Sequence, residues 1–390
     1  MMQRHTLSAL SAVLFTTSAM AFDYGDPNNN EQAHLEMLNR ARAAPLTEAQ
    51  RLQIDLFEGA PAGSIQSTAV QPLSSNALLL SIAKNHSADM LKQGYFAHND
   101  LTGLSPFARM SAVNYAYQTA GENIAWQGMT GTIDQAATAL KLHDSLFIDK
   151  DVSGRGHRVN ILNAAYREVG VGLAFGTFSQ SGYSYNAGMV TTDFGTRSSD
   201  KPIILGVVYN DKNSDQFYTA GEGLPNVAVA LSASNSTQTA SAGGYGLEVT
   251  PNSDYTLNFS HPSYGTFNKT VHVDNLNVKV DVLSSAFSNT VTANQCASFV
   301  QTKLSIPCIT VAGSVLSAEL VVVNNTPLQF ALQSSAFSNQ TATSQCATYN
   351  SQTATATLNC VTVGNAHYWA ELTLKTTASV FELGAFGLAQ

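Results

Sequence analysis

Gly154-Arg155-Gly156-His157-Arg158-Val159-Asn160-Ile161-Leu162 sets a histidine and an asparagine between two glycines and an apolar run. Three other stretches of the first half share this texture of polar residues in apolar context: Tyr95-Phe-Ala-His98-Asn99, Gly121-Glu122-Asn123-Ile124-Ala125 and Leu142-His143-Asp144. Several histidines and a glutamate, each beside Gly or Asn at the end of an element, fit convergence on one pocket. Neutral imidazoles and a carboxylate are ligands for zinc-like divalent ions. Other catalytic signatures are missing. His-Glu-x-x-His, Gly-x-Ser-x-Gly, the Walker A loop and the dinucleotide glycine fingerprint do not occur, and no cysteine precedes Cys296, which excludes a cysteine nucleophile in this half.

Around these stretches the pattern is first helical. Leu35, Leu38 and Ala41 stripe one helix that ends before Pro45. Leu79, Ile82, Ala83, His86 and Met90 stripe a second that stops at Gly94, and a third runs from Asp134 to Phe147. His86, on the apolar stripe, reads as a packed histidine with one satisfied ring nitrogen. His34 reads as a solvated helix residue, and Arg155 and Arg158 as partners of Asp149 or Asp151. From Glu168 to Gly195 the pattern turns to β-rich runs, Val169 to Phe175 and Tyr183 to Val190, so residues 22–197 read as one α+β domain.

Phe96-x-His98, Gly121-Glu122-Asn123-Ile124, Gly156-His157-Arg158-x-Asn160-Ile161-Leu162, Glu168-Val-Gly-Val-Gly172 and Met189-Val-Thr-Thr-Asp-Phe-Gly195 stand in the order and context of bacterial CAP domains. Over residues 31–195 the chain resembles this superfamily, which includes the cysteine-rich secretory proteins, antigen 5 and the plant pathogenesis-related proteins. The resemblance implies an α-β-α sandwich with a large cleft holding a tetrad of two histidines and two glutamates. His98 and His157 carry over as the histidines and Glu122 as the first glutamate. The second glutamate is not matched: its helix position falls at His143, or at Asp144 with a slip of one. A zinc-like divalent ion on His98, His143 and His157, with Glu122 as ligand, second-layer residue or base, would keep an open position for water.

Beyond Arg197-Ser-Ser-Asp-Lys-Pro202, a polar hinge, helical periodicity ends. Ile203–Tyr209, Val227–Leu231, Tyr255–Phe259, Thr270–Val273 and Val278–Val282 are short apolar runs parted by Gly, Asn, Ser and Pro, the spacing of a small β-sandwich over residues 198–283. Within it, Asp211, Asn213, Asp215, Thr219 and Glu222 occupy positions 1, 3, 5, 9 and 12 of a calcium loop, with the Phe217 carbonyl at position 7 and Gln216 where glycine is usual. The segment resembles the Asp-rich loop of secreted modules of the Cna-B or SdrD-B type. Calcium and a bare solvated turn are both open readings.

The last part of the chain is a repeat. Leu283-Ser-Ser-Ala-Phe-Ser-Asn recurs as Gln333-Ser-Ser-Ala-Phe-Ser-Asn, and Gln295-Cys296-Ala297 recurs as Gln345-Cys346-Ala347. The second cysteines recur in Cys308-Ile-Thr-Val311 and Cys360-Val-Thr-Val363. Two β units, 284–333 and 334–390, follow from this. The simplest pairing closes each unit on itself, Cys296 with Cys308 and Cys346 with Cys360; thiol pairs holding a metal are the competing reading.

Composition and the leader set the compartment. Arg4, the apolar run Leu7 to Phe15 and the small-x-small Ala19-Met20-Ala21 read as a signal peptide over residues 1–21, cleaved after Ala21. The expected protein is secreted, extracellular or on the cell surface, without a transmembrane segment. Of 390 residues only 12% are charged, against about 25% in ordinary domains, and the formal charge is −8. A phosphate backbone would be repelled, which excludes nucleic acid as a partner. Three functions stay open: a cleft that binds a divalent metal or a small apolar ligand, with a small molecule, lipid or extracellular protein as partner; a metal-dependent, protease-like hydrolase using Glu122 as base; and a structural or adhesive protein with a vestigial cleft.

Overall fold

The computed structural model describes residues 22–261, 263–287, 296–337, 346–364 and 366–388. The expected leader, 1–21, and its cleavage site lie outside them. The fold is α+β. Helix α1 (Asn29–Ala43) starts at a capping box in which Asn28 and Glu31 satisfy each other's backbone N–H groups, and it gives way at Pro45 to α2 (Pro45–Arg51). After β1 (Ser74–Ser75), α3 (Ala77–Gln93) is capped by Asn76 and ends on Gly94 in the left-handed region. Then come α4 (Pro106–Ala112), β2 (Tyr117–Met129), α5 (Gln135–Ile148), α6 (Gly156–Ile161), β3 (Glu168–Gln180) and β4 (Tyr183–Arg197).

These strands form a sheet in the order β1-β3-β4-β2. Helix α3 covers one face and α1 and α5 the other, the expected three layers. The glycines of Glu168-Val-Gly-Val-Gly172 explain the close fit: a Cβ on Gly170 or Gly172 would come within 2.0 or 2.1 Å of the α3 backbone at Leu79 or Ala83.

Strands β5 (Ile203–Tyr209), β6 (Ala228–Ser232), β7 (Asn235–Gln238), β8 (Gly244–Glu248), β9 (Ser253–His261), β10 (Gly265–Val273), β11 (Val278–Lys279) and β12 (Val282–Leu283) make two small sheets, β10-β9-β6-β7 and β11-β5-β12 with β8 beside β5. Their inner faces enclose a core of Ile204, Val208, Val229, Tyr245 and Phe259.

The first two units are joined firmly. Ala33 and Met37 of α1 pack against Val207, Tyr209 and Tyr218 of the sandwich, while Leu35, Leu38 and Ala41 enter the core of the first unit. Lys279 Nζ reaches Glu36 Oε2 at 2.7 Å. Asn277 donates to the carbonyls of Pro72 (3.0 Å) and Arg167 (2.8 Å) and accepts from Ile203 N. The hinge read at 197–202 is latched: Arg197 pairs with Glu168 (3.0 Å) and with Asp200 (2.8 Å). His34, expected in solvent, is wholly buried because α5 packs over it: its Nδ1–H donates to Ala139 O at 3.3 Å and its ring meets that of His143.

Strands β13 (Ala297–Val300), β14 (Lys303–Val311), β15 (Ser314–Asn325) and β16 (Leu328–Phe337) belong to the first repeat; β17 (Ala347–Asn350), β18 (Thr355–Val363), β19 (Ala366–Lys375) and β20 (Val380–Leu388) belong to the second. They share one eight-stranded sheet, β13-β14-β15-β16-β20-β19-β18-β17, which closes into a barrel because the short first strand of each repeat also pairs in parallel with the second strand of the other. This exchange corrects the disulfide expectation. Ala297 lies opposite Val361 and Ile309 opposite Ala347, so the cysteines one residue before each pair face each other, and the bonds are Cys296–Cys360 and Cys308–Cys346.

Chymotryptic cleavage after Phe299, Phe330 and Tyr349 parts all four cysteines. Mass mapping of the non-reduced protein should recover the peptides of Cys296 with Cys360 and of Cys308 with Cys346; linkages within one repeat would contradict the exchanged strands.

Candidate functional site

A cleft of about 500 Å³ opens between β2 and α5, walled by Phe96, Ile124, Trp126, Leu146, Ile148 and Val152, with Lys141, Lys150 and His157 among its polar residues. The way α5 ends and α6 begins orients His157. Asp149, left-handed at φ 54°, caps α5, and its Oδ2 accepts the backbone N–H groups of His157 (2.9 Å) and Arg158 (3.3 Å) at the start of α6. Its Oδ1 takes the His157 Nδ1 proton at 2.7 Å, which leaves Nε2 as an acceptor. Arg158, expected to pair with an aspartate, is buried and donates to carbonyls instead, those of Phe147 (2.6 Å), Leu56 (2.9 Å) and Ile148. It thereby satisfies carbonyls that the end of α5 would leave without donors. Arg155 pairs with Glu58 at 2.6 Å and donates to Asp149 O.

His98 and Glu122 meet as the motifs require: His98 Nδ1–H donates to Glu122 Oε1 at 2.7 Å, and Arg109 binds the other oxygen. Glu122 lies opposite Asp193 in the β2–β4 register. Asp193 is fully buried, with no donor at either oxygen among the described residues. Burial, and then the neighbouring Glu122, push its carboxyl well above the usual range. Sequence reasoning quoted the motif containing Asp193 without weighing this residue, and it passed over Asp149 as a partner of His157.

His143 is elsewhere. It is fully buried, and its Nε2–H donates to Glu48 Oε1 at 3.1 Å beneath the ring of His34. Asp144 turns to Arg51. His143 does not reach the cleft, because the face of α5 that carries it packs onto α1 and α2, whereas Asp144 lines the same cleft as His157 while paired with Arg51. Among the described residues, three ligand atoms of His, Cys, Asp or Glu gather within 4.8 Å at two places, Glu48/His143/Asp144 and Cys296/Cys360/His367. The first is an ion-pair network around Arg40 and Arg51, and the second contains a disulfide. The expected cleft quartet does not converge as a metal site in this conformation. His86, by contrast, packs as expected, with Nε2–H donating to Ala97 O at 3.0 Å.

In the loop at 211–222 the candidate calcium ligands accept the loop's own N–H groups. Asp211 takes those of Asp215 (3.1 Å) and Gln216 (3.0 Å), Asn213 that of Asp215 (3.1 Å), and Glu222 those of Lys212 (2.9 Å) and Thr219 (2.8 Å). Asn213 also donates to Thr219 Oγ1. Gln216 takes the left-handed backbone that glycine would supply, at φ 59°, and Phe217 lies beneath the Arg40 guanidinium.

A three-layer fold with histidine–carboxylate pairs beside a cleft defines the class, and residues 35–194 match the family model described as the cysteine-rich secretory protein family, CAP. This part of the chain is a bacterial CAP domain. The uncharacterized protein YkwD of Bacillus subtilis (strain 168) is 35% identical over 107 residues, a match that spans 27% of this chain and 37% of that protein. An extracellular protein containing a SCP domain from Bacillus anthracis is 24% identical over 33% of this chain and 35% of its own, with a TM-score of 0.24. An outer surface protein from Borrelia burgdorferi is 13% identical over 44% of this chain and 96% of its own, with a TM-score of 0.28.

The His34–His143–Glu48 cluster makes the fold acid-sensitive. Burial, then His143, lowers the His34 pKa to about 3. Burial alone would raise Glu48, but hydrogen bonds from His143, Arg40 and Arg51 outweigh it and hold the carboxyl below the usual range. As pH falls from about 6.5 toward 3, the unfolded chain takes up a proton at His34 that the native protein refuses, so stability declines by about 1.4 kcal/mol per pH unit from this group. His34→Gln should flatten the pH dependence of unfolding free energy between pH 6 and 4 by about that slope. An unchanged slope would place the acid sensitivity elsewhere.

Proposed function

We propose that the protein works outside the cytoplasm as a binding protein whose CAP cleft takes a small apolar or amphipathic ligand, a hydroxyl of which donates to His157 Nε2. One observation carries this reading: an open cleft with apolar walls ends at an imidazole whose other nitrogen is fixed by Asp149. The expected leader supports the extracellular setting, and among the described residues no helix is long and apolar enough to cross a membrane. Residues 22–197 and 203–283 act in this reading as one CAP unit with an attached β module.

The hydrolytic reading is weaker on the same geometry. Glu122, its base, has both oxygens engaged by His98 and Arg109. A divalent ion would have the Nε2 atoms of His98 and His157 as ligands, with carboxylates on their Nδ1 atoms, an arrangement suited to metal-bound histidines. The apolar walls of the cleft beside His157 favour the organic ligand.

Calorimetric titration with dodecanol should show binding that Ser145→Phe, on the cleft wall, removes and that His157→Ala weakens about tenfold, the worth of one hydrogen bond. Zinc binding lost in both His98→Ala and His157→Ala, without dodecanol binding, would replace this reading with the metal one.

The loop at 211–222 is proposed to take calcium by exchanging its internal N–H partners for the ion. Melting of the full chain should rise with millimolar calcium and return with a chelator, and Asp211→Ala should abolish the response; identical melting in all conditions would leave a bare turn.

A further inference from the structure

The barrel is assembled from two copies of one unit, yet its interior is lopsided. A cavity of about 240 Å³ is lined by Phe299, Leu304, Phe330, Tyr368, Ala370 and Phe386, among other apolar residues. Its counterpart under exchange of the repeats measures about 150 Å³. There Phe299 is replaced by Tyr349, Leu304 by Ala356, Tyr368 by Leu316 and Phe386 by Ser335. The larger cavity therefore carries more aromatic surface, and among the described residues the Tyr368 hydroxyl is the one polar side-chain group on its wall.

Close-packed interiors hold few voids larger than a water molecule. The cavity opens to the surface at one side, yet a lining with a single hydroxyl offers water almost no hydrogen bonds, so its wall favours a benzene-like guest over water. The wall atoms lack the dispersion partners that a guest would restore. The cavity is also reachable. Phe386 is 64% exposed and Val363 39% exposed on its rim, although both are large apolar residues. Disulfides pin the parallel strand pairs that close the barrel, so the cavity is held open in advance. We infer that the barrel is a second binding site, for one uncharged apolar molecule of the size of a substituted benzene, separate from the CAP cleft.

The test uses the full oxidised chain and butylbenzene as probe, followed by calorimetry and by thermal shift. Wild type should bind one equivalent saturably. Ala370→Leu, which fills the cavity, should lower affinity at least tenfold, whereas Ala318→Leu, at the corresponding position of the smaller cavity, should change it less than twofold. Phe386→Ser copies the residue of the other repeat at an exposed position, so it keeps the fold; it should weaken binding severalfold and carries the test if Ala370→Leu does not fold. Absence of saturable binding, equal affinity in wild type and Phe386→Ser, or loss of binding in Ser145→Phe instead would overturn the proposal.

Discussion

Every face of α1 is occupied, and the arrangement of the first two units follows from that. A surface helix usually keeps one wet side. Here Leu35, Leu38 and Ala41 enter the CAP core, Ala33 and Met37 enter the sandwich, and the polar residues between them are buried as well. Each buried charge then needs a partner, because leaving one alone in the interior is costly. Glu31 has Lys84, Glu36 has Lys279 and Gln32, and Arg42 has the carbonyls of Gln71, Ile161, Asn163 and Tyr166. The sandwich is thus part of what makes the first helix stable, and the two units form one structural body around it.

The cleft depends on a smaller device of the same kind. Asp149 and Arg158 satisfy the loose ends of two helices crosswise, the aspartate taking N–H groups at the start of α6 and the arginine filling carbonyls at the end of α5. The imidazole of His157 is aimed as a by-product. Both oxygens of Glu122 are held, by His98 and by Arg109, with the buried Asp193 opposite it, which suits a fixed support more than a group that must pick up and release protons.

What could be read in the sequence was whatever is local or carried by ordered motifs. The helix stripes, the stop at Gly94, the start at Asp134, and the placement of His98, Glu122 and His157 all depend on neighbours within a turn or two, or on a resemblance spanning the domain. What was hidden depends on distant partners. His34 looks solvated because nothing near it in sequence announces that α5, a hundred residues on, packs over its side of α1. His143 sits on a helix, and which side of α5 faces the cleft is decided by packing against α1. Asp193 gains its meaning only through the β2–β4 register opposite Glu122. The disulfides are the clearest case: two similar units can each close alone or exchange strands, and the repeat pattern is identical in both.

The exchanged pairing has a topological consequence. The Cys308–Cys346 bond is nested inside the Cys296–Cys360 bond, so the chain from 296 to 360 forms a ring within a ring. A single backbone cut anywhere between these outer cysteines leaves the two pieces covalently joined, whereas bonds confined to each repeat would let a cut between the repeats free one of them. In surroundings rich in proteases, the barrel can be nicked and still hold together as one object.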